Sequence, residues 1–413
     1  MTATERKPPG LGHRARYMSP DRTSERIAAL RPTAVNMIMA EVRALPDLPR
    51  QPVSLMRGEP DLPTPPHIVA AATTALRGGR TGYPNNQGEP TLRQAVARAL
   101  ERENGLGYRW QDEVLITSGA TFGIYAALAA VIDPGDEVLM PEPSYDAYHG
   151  VADLLGATVR PLPSRCTAGR YSLDPEALRE ASRPRTRALL LNTPWNPTGT
   201  IFRREELEAI QTFAEQRDLI VISDEIYEKI LYDEHRHVSA ASVSTAARER
   251  TIIVNSLSKS YAMTGWRLGF CAAPADLLRG MSLVLQQSSR GPSTFVQDAA
   301  TAALEGPQDC VAQMCREYGE RRQTVEHALG DLPGVNVCSP EAGFFTMVDV
   351  RQIGNDSNRI RRTLLTDFGV VVMHGAAYGP AAEGMLRISF ATGGENLTEG
   401  LRRLRAGLQS LLS

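Results

Sequence analysis

The stretch Ile220-Val221-Ile222-Ser223-Asp224-Glu225-Ile226-Tyr227 drives a short apolar run straight into two adjacent carboxylates. A run this short, rich in β-branched residues, reads as a buried strand, Ile220–Ser223, that delivers Asp224 and Glu225 at its carboxyl end. Similar runs flank it: Val114–Thr117, Glu137–Met140, Thr158–Pro161 and Ala188–Asn192 before it, and Thr251–Ser256 after it. Helical patterns lie between them, among them Gly123–Ile132, Pro175–Ala181 and Glu205–Arg217. This alternation predicts an α/β fold, a doubly wound, mostly parallel sheet with helices on both faces. Ligands of such sheets bind beyond the carboxyl ends of the strands.

Past Pro307 the rhythm changes. A long amphipathic helix runs through Gly330, followed by a β-rich patch at Val335–Val350, a helix from Ser357, strands at Val370–Met373 and Met385–Phe390, and a last helix from Asn396. Toward the N-terminus, Ser24–Leu45 reads as helical and three prolines between Pro46 and Pro52 end it. Residues 1–19 mix Pro, Gly, Arg and Lys without apolar periodicity and read as an arm. The expected organisation is an arm at 1–19, a large domain at 53–306, and a smaller α+β domain formed by 20–52 with 307–413.

Composition narrows the function. A chain of 413 residues with 45 basic and 47 acidic side chains has a formal net charge of −2, without the one-signed excess of nucleic-acid or membrane-surface binders. No apolar run approaches the roughly 20 residues of a membrane span. Small molecules are therefore the expected partners. Cys166, Cys271, Cys310, Cys315 and Cys338 are odd in number, scattered and without a CxxC pair, which fits a reducing cytoplasm. Each reads as a small buried hydrophobe without chemistry. His235 and His237 fall in a charged, loop-like stretch and read as surface residues, so no metal site is expected.

The strand ends carry the chemistry. After Val114–Thr117, Ser118-Gly119-Ala120-Thr121 opens a helix whose free N–H groups suit a phosphate. Asp224 reads either as a helix cap or as the partner of a buried cation. After Thr251–Ser256 come Ser258 and Lys259, with Arg267 eight residues past the lysine. The whole chain holds only three lysines, Lys7, Lys229 and Lys259. Lys7 lies in the arm and Lys229 reads as a solvated surface residue, which leaves Lys259 as the candidate for a desolvated amine that forms a Schiff base. A phosphate cradle, a terminal carboxylate and an isolated lysine together meet the demands of pyridoxal phosphate.

From about Ser54 to Ser413 the sequence resembles the fold-type I pyridoxal-phosphate enzymes, specifically the class I aminotransferases of the aspartate aminotransferase superfamily. The marks are Gly58-Glu59-Pro60-Asp61, Tyr83-Pro84 with Gly88 to Arg93, Asp133 to Val138, Asn196-Pro197-Thr198-Gly199, Ser223 to Tyr227, Ser256 to Lys259 with Met263 to Gly269, and Leu386 to Phe390. The resemblance implies that Lys259 holds pyridoxal 5′-phosphate and shuttles the substrate proton, and that Asp224 keeps the pyridine nitrogen protonated. It further implies that Tyr227 and Asn196 bond the cofactor phenolic oxygen and that Tyr145 stacks on the ring. Gly119, Ala120, Thr121, Ser256, Ser258 and Arg267 would bind the phosphate. Tyr83 would reach the phosphate of a neighbouring subunit, which implies a homodimer with shared active sites. Arg387 would grip the substrate α-carboxylate, alongside the Gly58 backbone and Asn196.

The implied reaction moves an α-amino group between an amino acid and a 2-oxo acid. The same constellation also serves elimination, replacement, decarboxylation or oxidation, and a ligand-sensing regulator is a third reading, which the lack of a basic helix-turn-helix segment disfavours. Two positions depart from the family pattern. Trp195 stands where a small polar residue is usual, either shaping the pocket or packing beneath its loop. Gln286 falls where dicarboxylate-specific members carry an arginine, with Arg290 a few residues on.

Overall fold

The computed structural model describes residues 22–45 and 50–412. The expected arm at 1–19, Lys7 within it, and positions 46–49 of the proline stretch lie outside the described residues.

The strands in chain order are β1 (Val53–Ser54), β2 (Val114–Thr117), β3 (Glu137–Glu142), β4 (Thr158–Thr167), β5 (Arg170–Leu173), β6 (Thr186–Asn192), β7 (Ile220–Asp224), β8 (Thr251–Ser256), β9 (Gly269–Ala272), β10 (Asn336–Val337), β11 (Phe345–Asp349), β12 (Val370–Val371), β13 (Met373–His374) and β14 (Met385–Ser389). Eight of them form one sheet in the order β2-β9-β8-β7-β6-β3-β4-β5. The β4–β3–β6–β7–β8 run is parallel throughout, whereas β9 runs against both β8 and β2, and β5 against β4. The sheet is thus doubly wound and mostly parallel.

Side chains alternate across it with the period of a strand. Ile222 and Val254 pack with the Ala120–Val131 and Ala275–Gln286 helices, while Ile253 packs with the Pro90–Asn104 and Thr294–Glu305 helices and Val221 with the Arg204–Gln216 helix. Both faces are covered, so every residue of β2 and β8 is buried and the strands read as apolar runs without alternation. A second, four-stranded antiparallel sheet, β10-β11-β14-β13, packs with the Asp309–Leu329, Ser357–Phe368 and Gly394–Leu412 helices around Phe344, Val348, Leu364 and Leu404.

Several expectations are corrected. The helix expected at Ser24–Leu45 is two, Glu25–Ala29 and Ala34–Ala44, because Pro32 lacks an N–H and disfavours helical backbone at Arg31. The strand expected at Thr158–Pro161 continues to Thr167 and turns through Ala168 and Gly169, both at positive φ, into β5. Its second half is mostly polar and largely exposed, which hides it from a search for apolar runs. The strand expected at Val370–Met373 is divided: β12 pairs in parallel with β1, and β13 joins the four-stranded sheet.

Candidate active site

The parallel strands end on one rim of the large sheet, and there the polar residues gather around a cavity of about 460 Å³. Asp224 closes β7 and is 4% exposed. Its carboxylate accepts from the Tyr148 hydroxyl at 2.6 Å and the Ile226 N–H at 3.3 Å. Burial pushes this carboxyl up to about 7, and the hydrogen bonds and the Lys259 charge work against that rise. Neighbouring β6 ends at Asn192, whose amide donates to the Asp224 carbonyl at 2.9 Å and accepts from the Asn196 N–H at 2.7 Å.

Lys259 lies in the four-residue helix after β8, the next strand along. Its Nζ donates to the Gly58 carbonyl at 2.6 Å. Withdrawal from water lowers its pKa to about 8, with Glu59 opposing and Arg387 reinforcing the shift. An amine so placed is neutral far more often at neutral pH than one in water, and the neutral amine is the nucleophile.

A third group surrounds the turn after β2. Gly119 has φ +86 and caps the Ala120–Val131 helix without a side-chain partner for its first amides. A Cβ at Gly119 would meet Arg267 Nη2 at 2.7 Å, and one at Gly269 would meet the Gly119 and Ala120 backbone at 2.7 and 2.8 Å. Bare backbone at both glycines lets the helix N-terminus, the Arg267 guanidinium and the Ser256–Ser258 turn converge. Ser256 Oγ accepts from the Ser258 N–H at 3.1 Å and donates to the Leu268 carbonyl at 2.7 Å.

On the other side of the cavity β14 presents Arg387, 4% exposed, between the rings of Phe345 and Tyr378. Its Nη1 donates to Asn196 Oδ1 at 3.2 Å and Nη2 to the Met56 carbonyl at 2.9 Å, while buried Nε has no hydrogen-bond partner. Tyr227 packs edge-on against Phe344 and Phe345, and Tyr145 meets Tyr148 at 5.3 Å with the rings nearly perpendicular.

Of the sequence-predicted residues, Gly58, Ala120, Thr121, Tyr145, Asn196, Asp224, Tyr227, Ser256, Ser258, Lys259, Arg267 and Arg387 all line this cavity. Gly119 lies behind it against Arg267. Tyr83 is 91% exposed and away from the cavity.

The sequence match extends over residues 50–404 to the family described as aminotransferase class I and II. The chain belongs to this family. This aminotransferase is 35% identical over 388 residues to the aspartate aminotransferase of Pyrococcus abyssi, covering 94% of this chain and 98% of that one. It is 39% identical over 355 residues to the arginine–pyruvate transaminase AruH of Pseudomonas aeruginosa, covering 86% and 89%. Among solved structures, Thermus thermophilus aspartate aminotransferase with maleate superimposes with a TM-score of 0.86 at 36% identity, covering 93% of this chain and 99% of that one. Class I aminotransferases of the aspartate aminotransferase type use pyridoxal 5′-phosphate, and this chain is a transaminase of that kind. The donor set fits the cofactor: uncapped helix amides beside a guanidinium for a phosphate, a buried carboxylate for a ring nitrogen, and a desolvated amine for an aldehyde.

One open alternative of the aminotransferase is decided and two readings change. Trp195 packs beneath its loop: it is 2% exposed, stacks on Phe202 at 5.2 Å and donates from Nε1 to the Pro143 carbonyl at 2.7 Å. Lys229 is not a solvated surface residue, since its Nζ bonds Glu103 and Tyr261 with the side chain 16% exposed. His237 is no surface histidine either. It lies 3.1 Å from the Glu225 carboxylate, which also accepts from Ser223, Ser239 and the Ala240 N–H. Burial works to lower the His237 pKa, and Glu225 more than offsets that.

Sequence reading missed Tyr148, Asn192, Asp146 and the Thr33–Asn36 segment, all of which line the cavity. Tyr148 had a usable signal, standing three residues after Tyr145 and so on the same side of a helical turn. Asn192 ends a recognised strand. Thr33–Asn36 had none, because it reaches the cavity through a distant contact in which the Ala34 N–H donates to Asp146 at 2.7 Å.

Proposed function

We propose that in this aminotransferase Lys259 is the group that holds pyridoxal phosphate and moves the substrate proton, with Asp224 and Arg387 fixing the two partners on either side. The observation that carries this reading is the convergence of the Lys259 amine, the Asp224 carboxylate and the Arg387 guanidinium on one cavity. When bound, the cofactor supplies a carbonyl for the amino group and a conjugated ring that takes up electron density from the substrate α-carbon.

The chain's own residues do the rest. The Arg387 fork, already steered by Asn196 and the Met56 carbonyl, takes the substrate α-carboxylate and turns the α-carbon toward Lys259. Lys259 Nζ, with its lowered pKa, removes the α-proton and later returns a proton as general acid. Asp224, held by Tyr148, keeps a proton at the pyridine nitrogen. Tyr227 and Asn196 would hydrogen-bond the phenolic oxygen and Tyr145 would stack on the ring. Gly119, Ala120, Thr121, Ser256, Ser258 and Arg267 would hold the phosphate.

The same reading includes a homodimer in which Tyr83 serves the partner's site, supported by its exposure here and by the exposed apolar side chains Val69, Leu76 and Leu283. It divides the chain into a large domain at 53–306 and a smaller one formed by 20–52 with 307–413, and places the protein in the cytoplasm. Among the described residues no helix is long and apolar enough to cross a membrane. Borohydride reduction of the cofactor-loaded protein, followed by peptide mass mapping, tests the central assignment. The pyridoxyl mass is expected on Lys259, and its appearance on Lys229 or Lys7 overturns the reading.

A further inference from the structure

Cys166 and Cys338 are 172 positions apart, yet their Sγ atoms lie 3.9 Å from one another. Cys166 is exposed near the end of β4, and Cys338 is buried just past β10. The contact joins two sheets. The tip of the β4–β5 hairpin rests on the second sheet, where a Cβ at Gly169 would lie 3.4 Å from Cys338 Cα.

The two thiols are unlike. The hydrogen bond from Cys338 pulls the Cys166 thiol down to about 7, against the effect of burial, with the Gly169 N–H and Arg351 adding to the pull and Asp349 resisting it. The Cys338 thiol is pushed up. Cys166 is therefore the member of the pair drawn toward its thiolate, accessible to solvent and 3.9 Å from a second thiol, the arrangement of a reactive cysteine with a resolving partner. Cys271 shows the contrast: it is fully buried and pushed up, with no thiol beside it.

We propose that Cys166 and Cys338 form a redox couple, which oxidation closes into a disulfide tying the β4–β5 hairpin to the sheet that carries Arg387. With hydrogen peroxide as oxidant, the Cys166 thiolate attacks one peroxide oxygen and the O–O bond breaks. This leaves a sulfenic acid on Cys166 and, after protonation, one water. The Cys338 sulfur then attacks the sulfenic sulfur, the S–O bond breaks, and the departing hydroxide leaves as a second water with the Cys338 proton. The two thiols lose two electrons and two protons, and the peroxide is reduced to two waters. A dithiol reverses the bond by exchange. Such a reversible pair is compatible with a reducing compartment, where disulfides are transient.

Both ends of the tether adjoin cavity-forming segments. The Cys338 N–H donates to the Met347 carbonyl at 2.9 Å, and Met347 is the register partner of Arg387. On the hairpin side, Ser164 donates to the carbonyl of Glu142, the residue before the Pro143–Tyr145 turn.

The test is independent of catalysis. The cofactor-loaded protein is treated with hydrogen peroxide, its free thiols are alkylated, and its peptides are mapped by mass. The expected result is a linked pair of peptides containing Cys166 and Cys338, lighter by two hydrogens, with the free-thiol count down by two and restored by dithiothreitol. Cys166→Ser, at an exposed position, removes the linked pair, and Cys338→Ala leaves Cys166 as a sulfenic acid trapped by dimedone. Alkylatable Cys338 beside over-oxidised Cys166 in the unsubstituted protein, or a linkage between two copies of Cys166, overturns the proposal.

Discussion

The Tyr148 hydroxyl donates to the Asp224 carboxylate across 2.6 Å, with both side chains buried. A tyrosine on the helix after β3 thereby favours the ionised form of a carboxylate at the end of β7. The pair decides how readily Asp224 stays ionised in a site where burial favours its neutral form.

Tyr148→Phe removes a bond that favours the ionised carboxylate, so the Asp224 pKa rises further above its ordinary value. The ionised fraction at neutral pH falls, and the acidic limb of the kcat/KM profile moves up by about one unit, the scale of one hydrogen bond to a charge. A pH–rate profile checks it. An unchanged acidic limb argues against Tyr148 as the residue that positions Asp224.

Lys259→Met keeps the apolar stem and removes the amine. Turnover falls by roughly 10⁴-fold or more, since both the cofactor anchor and the general acid/base are lost. The cofactor-free variant should also be more stable than the cofactor-free parent at pH 7. The folded-state pKa of Lys259 is lowered to about 8, so the cost of charging it in the folded state is full below that pH and vanishes as pH rises toward the ordinary lysine value of 10.5. Thermal melts of the two apo proteins from pH 7 to 10 should therefore converge.

Arg387→Lys replaces a planar fork by a point charge that cannot serve Asn196, the Met56 carbonyl and a carboxylate together. Steady-state kinetics should show kcat/KM for the amino donor down about 100-fold, since a hydrogen bond to a charged group contributes about 1.5–3 kcal/mol. Unchanged kinetics would place the carboxylate elsewhere.

Trp195→Phe leaves the buried Pro143 carbonyl without its donor and disturbs the stack on Phe202. Stability to denaturant should fall by about 1–3 kcal/mol, while KM changes less than twofold, because the indole does not line the large cavity. A large KM change with unaltered stability would restore Trp195 to the substrate pocket.

Much of this was legible in the chain itself. Strands covered on both faces need apolar residues on both faces, so β2 and β8 appear as uninterrupted runs with the bounds the structure shows. Residues at the carboxyl ends of β2, β7 and β8 follow by position alone, which singles out Gly119, Asp224 and Lys259. The scarcity of lysine made Lys259 conspicuous. The reversed strand β9 and the outer half of β4 did not stand out: β9 is four residues opening on a glycine, and the end of β4 is polar because it lies near the sheet edge.

What the sequence determined by itself was therefore local and periodic: strand and helix order, the residues at strand ends, and the family they resemble. Tertiary structure alone decided which distant groups meet. Asp224 found Tyr148, Trp195 found Pro143, Cys166 found Cys338, and Lys229 and His237 were drawn from an expected surface into contact with Glu103 and Glu225. The physical reason is that periodicity records which side of an element faces the core, whereas hydrogen bonds and pKa shifts depend on separations of a few ångströms between segments that only packing brings together.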